Sequence, residues 1–181
     1  MAKQYPALTS ELSDFIRQQK IFFVGTAAAD GRVNVSPKGM DTLCVVSANR
    51  VVWLNLTGSG NETAAHLLEN NRLTLMFCAF EGAPLILRLY GQAQAFHPRD
   101  TEWDCLIPFF PKIAGARQIV DVSIDLVQTS CGWAVPLFDF KADRDQLEKW
   151  AENKSAEDLQ KYWEQRNQQS IDGKPTGIRV K

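Results

Sequence analysis

From residue 21 to residue 129 the chain is a succession of short runs rich in β-branched and aromatic residues, each closed by a turn sequence. Ile21 to Ala27 and Arg32 to Ser36 flank Asp30-Gly31, a hairpin signal because both residues tolerate positive φ. Pro37-Lys38-Gly39 interrupts the return strand. Asp41 to Val46 and Val51 to Asn55 form the next pair, across Ser47-Ala48-Asn49-Arg50. Arg72 to Phe80 and Leu85 to Phe96 follow around Glu81-Gly82-Ala83-Pro84, and Gln118 to Thr129 is a last long strand. Consecutive hairpins without regular β-α-β alternation predict an antiparallel barrel with helices attached and argue against a doubly wound sheet.

The helical segments are few and carry start signals. One opens after Thr9 or Ser10, with Leu12, Phe15 and Ile16 on one face. Asn61 is positioned to cap a second, through Leu67, Leu68 and Glu69. A third begins at His97-Pro98-Arg99-Asp100. The tail holds two more, the first opened by an Asp143-x-x-Gln146 capping box and the second by Ser155. This divides the chain into a barrel over 1–140 and a C-terminal helical extension over 141–181, which Trp150 and Trp163 dock onto the barrel or a partner subunit.

At 181 residues the chain suits one domain. Its 20 basic and 21 acidic side chains leave a net charge of -1, with no basic excess for gripping nucleic acid. The apolar runs are strand-length, too short to span a bilayer, so no membrane partner is expected. Met1 to Pro6 has no apolar run behind its lysine, which predicts no secretory signal. Cys44, Cys78, Cys105 and Cys131 are scattered and lack C-x-x-C spacing, which favours a reducing, cytoplasmic setting.

Three segments are candidates for chemistry. Leu56 to Thr63 joins a strand to a helix, and its Gly58 and Gly60 let backbone N–H groups approach an anion at a helix N-terminus. Thr57 and Thr63 add hydroxyl donors. A flexible connection capped by Asn61 is the competing account, since the loop matches neither a Walker A motif nor G-x-G-x-x-G. Asn34 to Gly39 presents Lys38 beside Pro and Gly, suited to phosphate or else simply solvated. Arg117-Gln118 and the later Ser130 to Pro136 offer a cation and, in Trp133, a ring that can stack or fill a core. His66 and His97 have no metal-ligand spacing, so no metal is expected. No G-x-S-x-G elbow and no acid–base pair of carboxylates stands out.

Taken in order, several segments resemble the pyridoxamine 5′-phosphate oxidase-like family of FMN-binding split barrels. They are Phe23-Val24-Gly25-Thr26-Ala27, Asp30-Gly31, Val33 to Gly39, Val52-Trp53-Leu54, Gly60-Asn61-Glu62-Thr63, His66 to Asn71 and Gly91-Gln92-Ala93. Ser130 to Pro136, with Asn167 and Ser170-Ile171-Asp172-Gly173, is similar to an uncharacterised branch. The resemblance implies a mainly β fold, a six-stranded antiparallel split β-barrel that forms a homodimer with FMN in clefts between subunits. It places Ser36, Lys38, Thr57, Gly58, Gly60, Asn61 and Thr63 near the phosphate and ribityl chain. It assigns Arg117 and Gln118 to the second subunit and Trp133 to the ring. The implied function is that of an FMN-dependent oxidoreductase acting on an unknown small molecule. The alternatives are a non-catalytic protein holding a flavin, a deazaflavin or haem, and an empty structural or protein-binding barrel. The sequence departs from the oxidase proper, because Glu62 and Thr63 stand where basic residues open the helix and the C-terminal substrate-binding arginine pattern is absent.

Overall fold

The computed structural model describes residues 2–178. The expected hairpins form: β2 (Phe22–Thr26) with β3 (Asn34–Lys38), β4 (Leu43–Ser47) with β5 (Arg50–Leu56), and β6 (Arg72–Cys78) with β7 (Ile86–Phe96). β8 (Ala116–Ser130) then returns as a 15-residue spine. The strand order is β3-β2-β6-β7-β8-β5-β4, every pairing antiparallel. A short β1 (Lys3–Tyr5) pairs with the far end of β8, beyond the stretch that β5 covers.

The sheet therefore has eight strands, not the six expected. Three residues that pair with a strand more than a hundred positions away leave no periodic signal, which is why β1 was not legible. β3 also runs through Pro37 and Lys38 instead of stopping before them. It ends the strand order, and an edge strand tolerates the N–H that proline lacks.

The sheet is rolled. Phe22 of β2 meets Trp53 of β5 edge-on at 6.4 Å between ring centres, although three strands separate β2 and β5 in the ladder. Phe22, Trp53, Leu75, Leu89 and Val122 share one interior core. A second cluster lies outside the barrel wall, where Val52, Leu54 and Ile119 pack with Leu106 of α3 (Thr101–Leu106). This is why β5 reads as an almost unbroken apolar run, being buried on both faces. At Gly91 the ladder between β7 and β8 shifts register, and a Cβ there would stand 2.1 Å from the Ser123 carbonyl oxygen, so only glycine fits.

Helix α1 (Ser10–Gln18) starts at Thr9, whose hydroxyl accepts from the Leu12 N–H. α2 (Glu62–Glu69) starts after Asn61, but Asn61 does not cap it; its side-chain amide turns toward the C-terminal tail. The tail holds α4 (Gln146–Glu152) and α5 (Ala156–Arg166). The Asp143 capping box is absent, since Asp145 is the residue before α4 and makes no capping bond. Ser155 does cap α5, in a box with Asp158.

The tail lies on its own barrel. Trp163 Nε1 donates to Thr57 Oγ1 at 2.9 Å, and the Trp150 and Tyr162 rings pack edge-on at 5.1 Å. Beyond α5 the chain is fastened by exposed ion pairs, Lys174 to Asp30 and Glu69 and Arg32 to Asp172. Gly31, at φ +87°, lets the Asp172 carboxylate close against the β2–β3 loop; a Cβ would come within 2.6 Å of it. Among the described residues no helix is long and apolar enough to cross a membrane, and all four cysteines are free.

Candidate functional site

β3 shows a reversed pattern. Its valines, Val35 and the preceding Val33, are 67% and 71% exposed, while Asn34, Ser36 and Lys38 face inward. Alternation with a period of two puts these three polar residues on one side of the strand. They border a cavity of about 630 Å³ whose other walls are the loop after β5, the start of α2, Arg117 of β8, and tail residues Arg166, Gln169, Ser170 and Ile171.

Seven of the ten residues singled out in the sequence line this cavity together: Ser36, Lys38, Gly58, Gly60, Asn61, Thr63 and Arg117. Arg117, assigned to a second subunit by the resemblance, reaches it from the same chain as the rest. Three residues do not line it. Thr57 is buried behind the loop, its hydroxyl donating to the Gly115 carbonyl at 2.8 Å. Gln118 is fully buried and bonded to Asn55 and His97. Trp133 is 83% exposed and lies outside the cavity wall.

The cavity is rich in unused polar groups. Ser36 Oγ, Asn61 Oδ1 and Arg117 Nε are buried and find no hydrogen-bond partner among the described residues. No backbone N–H of residues 58–61 finds an acceptor among the described residues. A buried polar group left unpaired costs about 1–3 kcal/mol, so such a concentration is a place built for something else to complete.

The charges have the matching sign. Burial, and then the neighbouring Arg117, lowers the Lys38 ammonium to about 8. Burial also lowers Arg117, to about 10, which still leaves it a cation at neutral pH. Among the described residues no carboxylate pairs with either of them. The one carboxylate on the wall, Glu62, is turned to the tail, where both its oxygens accept from the Ile171 N–H at 3.1 Å. The site thus offers two cations and several neutral donors to an anion that supplies acceptors.

Thr63 is held ready as a donor. The Asn34 amide donates to Thr26 Oγ1 and Thr63 Oγ1 at 3.1 and 3.2 Å, and Thr26 faces His66 Nδ1 at 3.1 Å. With its oxygen accepting from Asn34, the Thr63 hydroxyl has its proton free for the cavity. His66, buried, anchors this chain behind the wall. Asn34 was not singled out, although its two-residue spacing to Ser36 and Lys38 was a signal that could have found it. Arg166, Gln169, Ser170 and Ile171 left no such signal, because nothing local ties residues in a tail to a loop more than a hundred positions earlier.

Comparison with known proteins agrees with this geometry. The family model described as pyridoxamine 5′-phosphate oxidase matches residues 8–131. The pyridoxamine 5′-phosphate oxidase family protein ustO of Aspergillus flavus is 36% identical over 189 aligned positions, covering 94% of this chain and 76% of its own. That coverage extends the likeness into the tail. Among solved structures, HupZ of Group A Streptococcus superposes with a TM-score of 0.55 at 17% identity, over 66% of this chain and 91% of its own. A Lactobacillus delbrueckii protein of the pyridoxamine 5′-phosphate oxidase type gives 0.52 at 18%, over 68% and 94%. At such identities these two structures establish the split-barrel fold.

Proposed function

The chain belongs to the pyridoxamine 5′-phosphate oxidase family, and on that premise we propose that it binds FMN and acts as a flavin-dependent oxidoreductase on a small molecule. The observation that carries the reading is the set of buried, unpartnered polar atoms beside Lys38 and Arg117. A phosphate monoester brings the acceptor oxygens and the negative charge that such a wall lacks. Lys38 and Arg117 would hold the phosphate by charge, Ser36 and Thr63 by hydroxyl donation, and the N–H groups of residues 58–61 from the loop side. Asn61 Oδ1, an acceptor, suits a ribityl hydroxyl.

Bound flavin supplies hydride or electron transfer, and the protein then needs neither a nucleophile nor an acid–base pair of its own. That accords with a cavity in which the only carboxylate among the described residues, Glu62, is already engaged by a backbone N–H. The residues of the chain bind, orient and neutralise. Glu62, turned to the tail, does not confront the phosphate across open space.

We place the ring at a homodimer interface. The exposed Val35 on the edge strand β3, Val33 just before it, and the exposed Trp133, Leu137 and Phe138 are apolar surface that the described residues leave uncovered. A second copy covering β3 would close the cavity mouth and bring an aromatic wall within reach of it. The oligomeric state in solution checks this part: a monomer by light scattering would exclude the shared cleft.

The deciding experiment for the cofactor is an absorption spectrum of the purified protein, taken again after adding FMN or riboflavin and removing what stays free. Retention of FMN in preference to riboflavin is expected. A protein that retains neither would overturn the flavin reading.

A further inference from the structure

We infer that Asn167 is a positioning residue for Arg117, and that through this one amide the C-terminal tail sets the strength of the phosphate site. The inference rests on the flavin-phosphate reading for its ligand but on different atoms for its argument. Arg117 is 3% exposed. A guanidinium so buried usually has a carboxylate beside it, because desolvating an isolated charge costs several kcal/mol. Here the Arg117 Nη1 is held by two neutral oxygens instead, Asn167 Oδ1 at 2.7 Å and the Gly60 carbonyl at 3.0 Å.

Neutral acceptors fix the direction of the group and leave its charge uncancelled. An aspartate at the same place would hold the guanidinium but neutralise the cation, and would lose the Nδ2 bond to the Gly58 carbonyl. Asparagine at 167 therefore keeps a full positive charge available to an incoming anion.

The amide cannot turn the other way. Asn167 is fully buried, and its Nδ2 donates to the Gly58 carbonyl at 3.1 Å. Flipped, it would set N–H against the guanidinium and oxygen against a carbonyl. Its backbone oxygen is bound by Thr176 Oγ1 at 2.6 Å and approached by Asn61 Nδ2 at 3.4 Å. One tail residue thus holds the guanidinium and two points of the anion loop. The bonds also orient the loop: with the Gly58 and Gly60 carbonyls drawn to Asn167 and Arg117, planar trans peptides turn the N–H groups of Ser59 and Asn61 away from that pair. None of this is available to the barrel alone, because the family model ends at residue 131 and Asn167 lies 36 positions beyond it.

The test measures binding of FMN, riboflavin and inorganic phosphate to the full chain and to Asn167→Asp, Asn167→Ala and Asp172→Asn, with thermal melting as the fold control. Asn167→Asp is expected to fold, its ion pair with Arg117 offsetting the lost bond to Gly58, and to lose roughly a hundredfold in FMN affinity, with riboflavin affinity unchanged, because only the phosphate end is affected. Asn167→Ala is expected to lose about tenfold for FMN through loss of orientation, again sparing riboflavin. Asp172→Asn breaks an exposed ion pair of the tail and should stay within about threefold.

FMN binding by a folded Asn167→Asp at wild-type strength would overturn the inference. Equal losses of FMN and riboflavin, or an Asp172→Asn as weak as Asn167→Ala, would also overturn it, since tail anchoring in general would then be the cause. Should Asn167→Asp not fold, wild-type FMN affinity in Asn167→Ala overturns it. A wild-type protein that ignores FMN but is stabilised by phosphate, with that stabilisation lost in Asn167→Asp, would keep this inference and sink the flavin reading. A wild-type protein stabilised by neither ligand sinks both.

Discussion

Arg117 and Gln118 are neighbours on one strand, both almost completely buried and both polar, and they sit in opposite kinds of surroundings. Gln118 is closed off. Its amide oxygen accepts from Asn55 at 3.0 Å, and its nitrogen lies 3.1 Å from His97 Nε2. Burial, followed by Arg99, lowers the His97 pKa, which favours the neutral ring that accepts this bond. Arg117, on the other face, borders the cavity with Nε unsatisfied. Burial of polar groups does not by itself mark a site. Where the chain completes the hydrogen bonds, the cluster is structural; where it leaves them open beside uncancelled charge, the cluster awaits a ligand.

The contrast can be broken from either side. Arg117→Met removes the cation, and FMN affinity should fall by roughly a hundredfold, the worth of a charge-assisted contact. Its melting temperature should move less than that of the Gln118 variant, because a costly buried charge is removed along with the bonds to Gly60 and Asn167. A titration showing intact FMN affinity in Arg117→Met would refute the assignment of the cavity.

Gln118→Leu keeps the volume and strands two buried groups, Asn55 Nδ2 and His97 Nε2. At about 1–3 kcal/mol for each, the melting temperature should fall by roughly 4–24 °C. FMN affinity in the folded variant should remain within about threefold. If binding collapsed while melting stayed put, Gln118 would belong with Arg117 after all.

The smallest effect is pH-dependent. The Lys38 pKa in the free protein is depressed to about 8, so its charge is present below that pH and lost above it. A bound anion favours the charged form, and FMN affinity should decline above pH 8, by up to about tenfold per pH unit. Lys38→Met should bind more weakly at pH 7 and lose this slope. An affinity independent of pH between 7 and 9.5 in the wild type would show that Lys38 does not face the phosphate.

Much of the barrel was legible in the sequence because hairpins are local. The Asp30-Gly31 turn, the alternating runs and the Thr9 and Ser155 caps each depend on residues close in the chain. The failures share the opposite property. β1 exists only through its ladder with β8, and β3 continues through Pro37 only because it is an edge. Asn61 is drawn from its cap position by a tail residue 106 positions away. Trp133, whose setting left stacking and core packing open, stands exposed within one chain and does not fill the core.

The sequence by itself determined the class of fold and the material of the site: serine, lysine and threonine on a strand and a helix start, two glycines between, and an arginine entering the last strand. Those features follow from periodicity and turn chemistry, which act over a few residues. Only the tertiary structure decided which of them share a wall. Asn34 and Arg117 came in, Thr57 and Gln118 were sealed behind, and residues 166 and 169–171 arrived from the tail to complete the cavity. The physical reason is that a buried donor must find its acceptor wherever the fold brings one, and for Arg117 that acceptor is an amide 50 residues away.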